Sequence, residues 1–310
     1  MKARPLDYLF LLRPMILIPV WSFYLLGAHH AEAAAGRGID PVTFFAGLAS
    51  FTALLGAVYI MNQIADRAAD LERDKLFLIP RGIVSLRAAW IETGLLVAAS
   101  FAIAAAFLPA AFDLVLAASL ALGAAYSLEP IRLKRRPIVD VLANAVGNGI
   151  FNTMAGWIGA AALGAGSALL ILLPYPIAVA SVHLVTTLGD READERMGFV
   201  TSGVALGRGR GLIIATALMA GAAGAAYLVD NRPALIASLV SLPFFLVPGR
   251  LAERRDGGSD VLLPAKVATL AFAIAAGFLF PLYIPILAAV VLLTRLYYRR
   301  RFSIEYPSLR

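Results

Sequence analysis

Two short stretches place carboxylates at four-residue intervals in an otherwise apolar chain. "NQIADRAAD" sets Asn62, Asp66 and Asp70 four apart, and "DREAD" sets Asp190 and Asp194 four apart. On an α-helix, residues four apart share one side and rise about 6 Å per step, so the oxygens of each stretch point the same way. Oxygen donors of this kind suit Mg²⁺, which keeps several waters and is commonly completed by substrate phosphates. Two such stretches facing one another would hold about two Mg²⁺ and a diphosphate between them. For one stretch alone, a helix end entering water is an adequate explanation. Two stretches, each closing an apolar run and each rich in arginine, point to a task, because carboxylates in a membrane setting are costly without one.

The elements that must position these residues follow from composition. The chain has 310 residues, of which 60% are hydrophobic and 15% charged, with a mean hydropathy of +0.80. Soluble domains are roughly 45–50% apolar. The pattern predicts an integral membrane protein of all-α class, a polytopic transmembrane bundle of nine or ten helices around a central cavity, forming one domain over residues 1–310. Apolar runs run from Met15 to Ala28, Val42 to Met61, Ala88 to Leu108, Phe112 to Leu128, and Ile138 to Ala162. They continue from Ala168 to Leu188, Leu212 to Val229, Ala234 to Val247, Leu262 to Phe280, and Leu282 to Tyr298. About 20 residues cross a bilayer as a helix, and several of these runs are shorter. The alternation of a membrane barrel is missing, and the Gly and Ala content suits close helix packing in lipid.

The net charge of +7 does not predict a nucleic-acid partner, since the basic residues sit in short loops rather than on one patch. They are topology signals. The loops holding Arg67, Arg73, Lys75 and Arg81, then Arg132, Lys134, Arg135 and Arg136, then Arg191, Arg196, Arg208 and Arg210, then Arg250, Arg254 and Arg255 are basic. The loops between them carry almost no positive charge. The N-terminus, these four loops and both aspartate stretches are therefore expected on the cytoplasmic side of a bacterial or archaeal membrane. The basic tail after Tyr298 returns to the same side if the tenth run, residues 282–298, is a helix. The start loosely imitates a secretory signal, but the spacing is poor and the segment is read as retained. With no cysteine there is neither disulfide nor thiolate chemistry.

A second polar pattern lies in the fifth run. Asp140, Asn144, Asn148 and Asn152 repeat at four-residue spacing and are expected to line the central cavity, with Asn144 and Asn148 near substrate, although interhelical hydrogen bonding would also explain them. His183 lies two turns before Asp190 on the same face and could serve an acceptor as a base, though a satisfied core histidine is the commoner case. His29 and His30 fall in an outer loop and carry no functional reading.

These motifs, in this order, resemble the UbiA superfamily of intramembrane prenyltransferases. Its Asn-then-two-Asp signature is similar to "NQIADRAAD", its Asp pair to "DREAD", its tyrosine and lysine loop to "YSLEPIRLKRRP", and its first-helix arginine and proline to "LLRP". Gln63 stands where many members carry Asp, and the tenth run lies beyond the family's usual nine helices. The resemblance implies transfer of a prenyl chain from a polyprenyl diphosphate to an acceptor in the membrane. It implies Asn62, Asp66, Asp70, Asp190 and Asp194 as metal ligands and Tyr126 beside the reacting carbon. Arg13, Arg67, Arg73, Lys75, Lys134 and Arg191 are candidates to neutralise phosphate oxygens, Arg13 and Lys134 foremost. An aromatic lipoquinone precursor is the favoured acceptor; a tetrapyrrole or non-aromatic acceptor is the alternative. A CDP-alcohol phosphotransferase fits less well, because the Asp-Gly and Ala-Arg elements before its last Asp pair are not found. A secondary transporter fits less well because its sites lie at the bilayer midplane, not at the edge.

Overall fold

The computed structural model describes residues 2–36, 38–72, 78–161, 168–246 and 261–306. Arg73, Lys75, Arg250, Arg254 and Arg255 lie outside the described residues.

The first rod is broken. Helix α1 (Pro5–Leu11) meets α2 (Pro14–Ala35) at 48°, and Arg13 between them has φ of 57° in the left-handed region. Pro14 causes the break, because proline disfavours the right-handed helical conformation in the residue before it, while its own fixed φ suits the first position of α2. The last carbonyls of α1 are left without helical partners. Gln63 supplies one, donating to the Leu11 carbonyl at 2.8 Å.

Helix α3 (Pro41–Glu72) has 32 residues and so is about 48 Å long, which exceeds the ~30 Å hydrocarbon core and carries its acidic end clear of the membrane interior. Helices α4 (Leu86–Phe107) and α5 (Ala110–Ser127) follow, then a 3-10 turn at Leu133–Arg135. The fifth run is not one regular helix. It comprises α6 (Val139–Asn144), a π-helical stretch over Ala145–Phe151, and α7 (Asn152–Ala161). Such wide turns inside helices concentrate at functional sites. The sixth rod is α8 (Ala168–Ile171) with α9 (Pro174–Arg196), which reaches past the apolar run and carries Asp190 and Asp194 in its last two turns. Then come α10 (Ser202–Leu228), α11 (Arg232–Leu246), α12 (Leu263–Leu279) and α13 (Tyr283–Phe302).

By length and apolar composition four of these helices can cross a membrane, five if α1 and α2 count as one bent span. The nine or ten expected spans therefore do not correspond one to one with continuous helices, because proline and the π-helical stretch divide two of the runs. His29 and His30 also depart from expectation: α2 extends through both, and His30 is buried against the Tyr175 hydroxyl at 2.9 Å.

Helices α2 and α7 approach closely enough that side chains are excluded at two glycines. A Cβ on Gly27 would collide with the Thr153 carbonyl, and one on Gly156 with the Tyr24 carbonyl. Tyr24 and Trp157, both almost fully buried, anchor the core beside this crossing. Gly156→Leu is predicted to cost about 1–3 kcal/mol or more by overpacking, because rigid backbone cannot yield. A thermal melt in detergent would show it as a lowered midpoint, and an unchanged midpoint would contradict the close crossing.

Candidate active site

The ends of α3 and α9 converge on one small cavity of about 160 Å³. Asp66 and Asp70 line it from α3, Asp190 and Asp194 from α9. A helix C-terminus carries partial negative charge, so these carboxylates sit where the helix field disfavours them unless cations are near. The segment after α5 supplies such cations. Lys134 Nζ donates to both Asp66 oxygens at 2.6 Å, and Arg132 reaches Oδ1 of the same carboxylate at 3.2 Å. Burial holds the Lys134 ammonium below the usual lysine range, opposed by the Asp66 carboxylate. Arg135 lines the same cavity and rests 3.6 Å above the Phe199 ring. Asp194 is buried and accepts from the Thr201 hydroxyl at 3.1 Å.

A second cavity of about 420 Å³ extends into the bundle. Its wall is mainly aliphatic and aromatic, with Phe23, Tyr59 and Phe272 among the rings. Tyr126, His183 and Thr186 line both cavities and so form their common boundary. Tyr126 Oη and Asn144 Nδ2 each stand 3.5 Å from His183 Nε2. Asn148, on the π-helical stretch, donates to Asn144 Oδ1 at 2.7 Å. Arg13 also lines this cavity, and among the described residues its side chain makes no hydrogen bond or ion pair.

The two cavities thus gather Asp66, Asp70, Asp190, Asp194, Lys134, Tyr126, Arg13, Asn62, Asn144, Asn148 and His183. Asn62 lines the larger one, where it donates to Ser127 Oγ at 3.2 Å, and it is not part of the four-aspartate lining. Arg67 is exposed and Arg191 pairs with Glu195 at 2.7 Å; neither lines a cavity. Asp140 does not line the cavity either. It is buried and accepts from the backbone amide of Ser202 at 2.8 Å and from the Ser202 hydroxyl, which fixes the start of α10. Asn152 is buried and lies outside the lining of both cavities. Gln63, at the position where a further carboxylate was anticipated, faces α1. The sequence marks Arg132 and Arg135 only as topology signals; their place two residues before and one residue after Lys134, around the turn Leu133–Arg135, was the available clue.

Among the described residues no three His, Asp or Glu side chains converge tightly enough to hold a single metal ion. Asp66, Asp70, Asp190 and Asp194 nonetheless form an all-oxygen donor set around one cavity, which fits a hard divalent cation completed by water and phosphate better than a closed protein cage.

Comparison with known proteins decides the family. The model of the UbiA prenyltransferase family matches residues 20–263. The chain belongs to the UbiA prenyltransferase family. It is therefore a membrane prenyltransferase. Among solved structures, a UbiA homolog from Archaeoglobus fulgidus bound to GPP and Mg²⁺ is 24% identical, covering 87% of this chain and 97% of its own, with a TM-score of 0.67. A UbiA homolog from Aeropyrum pernix K1 in its apo form is 20% identical over 83% of this chain and 94% of its own, with a TM-score of 0.65. A digeranylgeranylglyceryl phosphate synthase is 16% identical over 87% and 97%, with a TM-score of 0.63. At these identities the likeness establishes the fold. A search of curated proteins gives no match.

For this UbiA family member, Mg²⁺ with inorganic pyrophosphate is expected to raise the thermal midpoint, because a ligand bound only by the folded state adds about 2.7 kcal/mol at a hundred times its dissociation constant. EDTA should reverse the shift, and Asp66→Asn or Asp190→Asn should remove most of it. An equal shift in the variants would place the ions elsewhere.

Proposed function

We propose that the protein transfers a prenyl group from a polyprenyl diphosphate to an aromatic lipoquinone precursor, with release of diphosphate, at the cytoplasmic edge of the membrane. The observation that carries this reading is the adjacency of the two cavities: a charged one lined by four aspartates shares Tyr126, His183 and Thr186 with an apolar one. That is the division of a prenyl diphosphate into head and tail. In this reading residues 1–310 form one membrane-embedded domain of ten rods, with α13 the tenth.

Asp66, Asp70, Asp190 and Asp194 would hold the Mg²⁺ ions, with Asn62 beside them toward the larger cavity. Bound Mg²⁺ supplies neutralisation of the charge that develops on the departing diphosphate. The C1–O bond breaks with its electron pair leaving on the diphosphate, and an allylic cation remains. Lys134 and Arg135, which line this cavity, with Arg132 on Asp66, would pair with phosphate oxygens, where fixed charge is most effective. The Tyr126 ring lies at the boundary between the cavities, where its face can stabilise the cation. The apolar wall beyond it excludes water that would otherwise intercept the cation. A ring carbon of the acceptor then forms the new C–C bond and loses its proton.

The polar pair Asn144 and Asn148, with His183, can orient a ring hydroxyl or carbonyl within an otherwise apolar and aromatic chamber. This pairing favours an aromatic acceptor. Arg13 lines the same chamber, and its unpaired guanidinium supports a second reading in which the acceptor carries its own anionic group.

Purified protein in lipid nanodiscs, given geranylgeranyl diphosphate and a panel of acceptors, is expected to release diphosphate and form one prenylated product only with Mg²⁺. Asp66→Asn and Asp190→Asn should each lower turnover at least about a hundredfold, as loss of a fixed transition-state charge does. Asn148→Leu should raise the acceptor KM about tenfold, the order of one hydrogen bond to a substrate group, and leave Mg²⁺-dependent donor binding intact. Absence of any Mg²⁺-dependent diphosphate release would defeat the proposal, and ion uptake without it would favour a transporter.

A further inference from the structure

We infer that α13 is a splint across the broken first rod, and that Asp7, Tyr297 and Arg301 are positioning residues for Arg13. The inference rests on the reading that Arg13 meets substrate in the larger cavity. Both α13 and Arg13 lie outside residues 20–263, the part matched by the family model.

Helix α13 runs antiparallel to the first rod and grips it on either side of the break. On the α2 side, Tyr283 Oη donates to the Ile18 carbonyl at 2.8 Å and lies 2.9 Å from Ser22 Oγ. On the α1 side, Arg301 Nε and Nη2 reach the two oxygens of Asp7 at 3.1 and 2.9 Å, and Tyr297 Oη donates to Asp7 at 2.7 Å. Arg301 also donates to the Lys2 carbonyl at 2.7 Å, and the Phe10 and Tyr297 rings stack with centroids 3.7 Å apart.

The cluster is buried: the side chains of Asp7 and Arg301 are 0% and 5% exposed. A buried ion pair gives little net stability, because desolvation offsets the attraction; its better-attested use is to fix registration. Here the element to be registered is α1, only seven residues long and too short to persist as a helix unaided. Leu11, at its end, is held by Gln63, and Arg13 follows in a left-handed conformation that a non-glycine residue keeps only where its surroundings impose it.

The test uses full-length protein in nanodiscs. Arg13→Gln is expected to raise the KM of one substrate about tenfold, on the scale of a lost charge-assisted hydrogen bond. Arg301→Ala should raise the KM of that same substrate severalfold with kcat little changed, and Arg301→Lys should recover part of the loss. In the Arg13→Gln background, Arg301→Ala should add nothing further, since non-additivity marks residues acting as a unit. Effects that multiply, or a folded Arg301→Ala with native kinetics, would overturn the inference. Should Arg301→Ala not fold, Tyr297→Phe removes one hydrogen bond while keeping the stack, and the same cycle applies. Because the chain has no cysteine, Ile16→Cys on the cavity wall gives a readout independent of prenyl chemistry. Its thiol labelling rate should rise severalfold when Arg301 is replaced. A labelling response without any prenyl transfer sinks the proposed reaction and leaves the splint standing; transfer without a response in labelling or kinetics sinks the splint.

Discussion

Everything at the aspartate-lined end of the bundle depends on one electrostatic conflict: α3 and α9 bring four carboxylates to a shared cavity. Neither α3 nor α9 can hold those aspartates together without positive charge between them, since each carboxylate opposes its own helix field as well as its neighbours. Lys134 and Arg132 relieve part of the conflict by closing on Asp66. The relief comes from long side chains on a loop, which can exchange for other cations without moving a helix. If the site takes divalent ions and a polyanion together, as proposed, it is held ready by charge already present on that loop.

The same conflict explains why the apolar cavity has to adjoin the charged one. Under the proposed reaction the carboxylates need water and ions while an allylic cation needs their exclusion, and a boundary of a few residues can serve both sides. Tyr126, His183 and Thr186 form that boundary. Asn144, at the end of α6, and Asn148, on the π-helical stretch, join that boundary, with Asn144 3.5 Å from His183. Close glycine contacts between α2 and α7 keep the surrounding rods near enough to seal the interior.

The aspartate ladder and the family were legible in the sequence because four-residue spacing survives as one helical face whatever the tertiary context. Tyr126 and Lys134 were legible through motif order. Long-range partners were not. Gln63 looked like a lost metal ligand, yet its amide serves the broken end of α1, and nothing local to "NQIAD" reveals a carbonyl more than fifty residues upstream. Asp140 shares the spacing of Asn144 and Asn148, and periodicity alone grouped it with them; the π-helical stretch and the approach of α10 separate it. His30 was assigned to a loop because the apolar run ends before it, whereas α2 continues as a helix to Ala35. Arg191 and Arg67 carry charge on the right helices, but Arg67 is exposed, Arg191 pairs with Glu195, and neither lines the two cavities.

The contrast between Asp140 and Asp66 shows how one residue type at one membrane edge divides into architecture and chemistry. The Asp140 carboxylate accepts from the Ser202 amide, the Ser202 hydroxyl and the Val141 amide, donors carried by backbone or by a short side chain that cannot leave. Such a carboxylate is held by fixed dipoles that fill most of its acceptor sites. Among the described residues Asp66 is held by the tips of Lys134 and Arg132, and its neighbours across the cavity include further carboxylates. Fixed dipoles make an anion part of the fold; mobile charges make it available to a ligand.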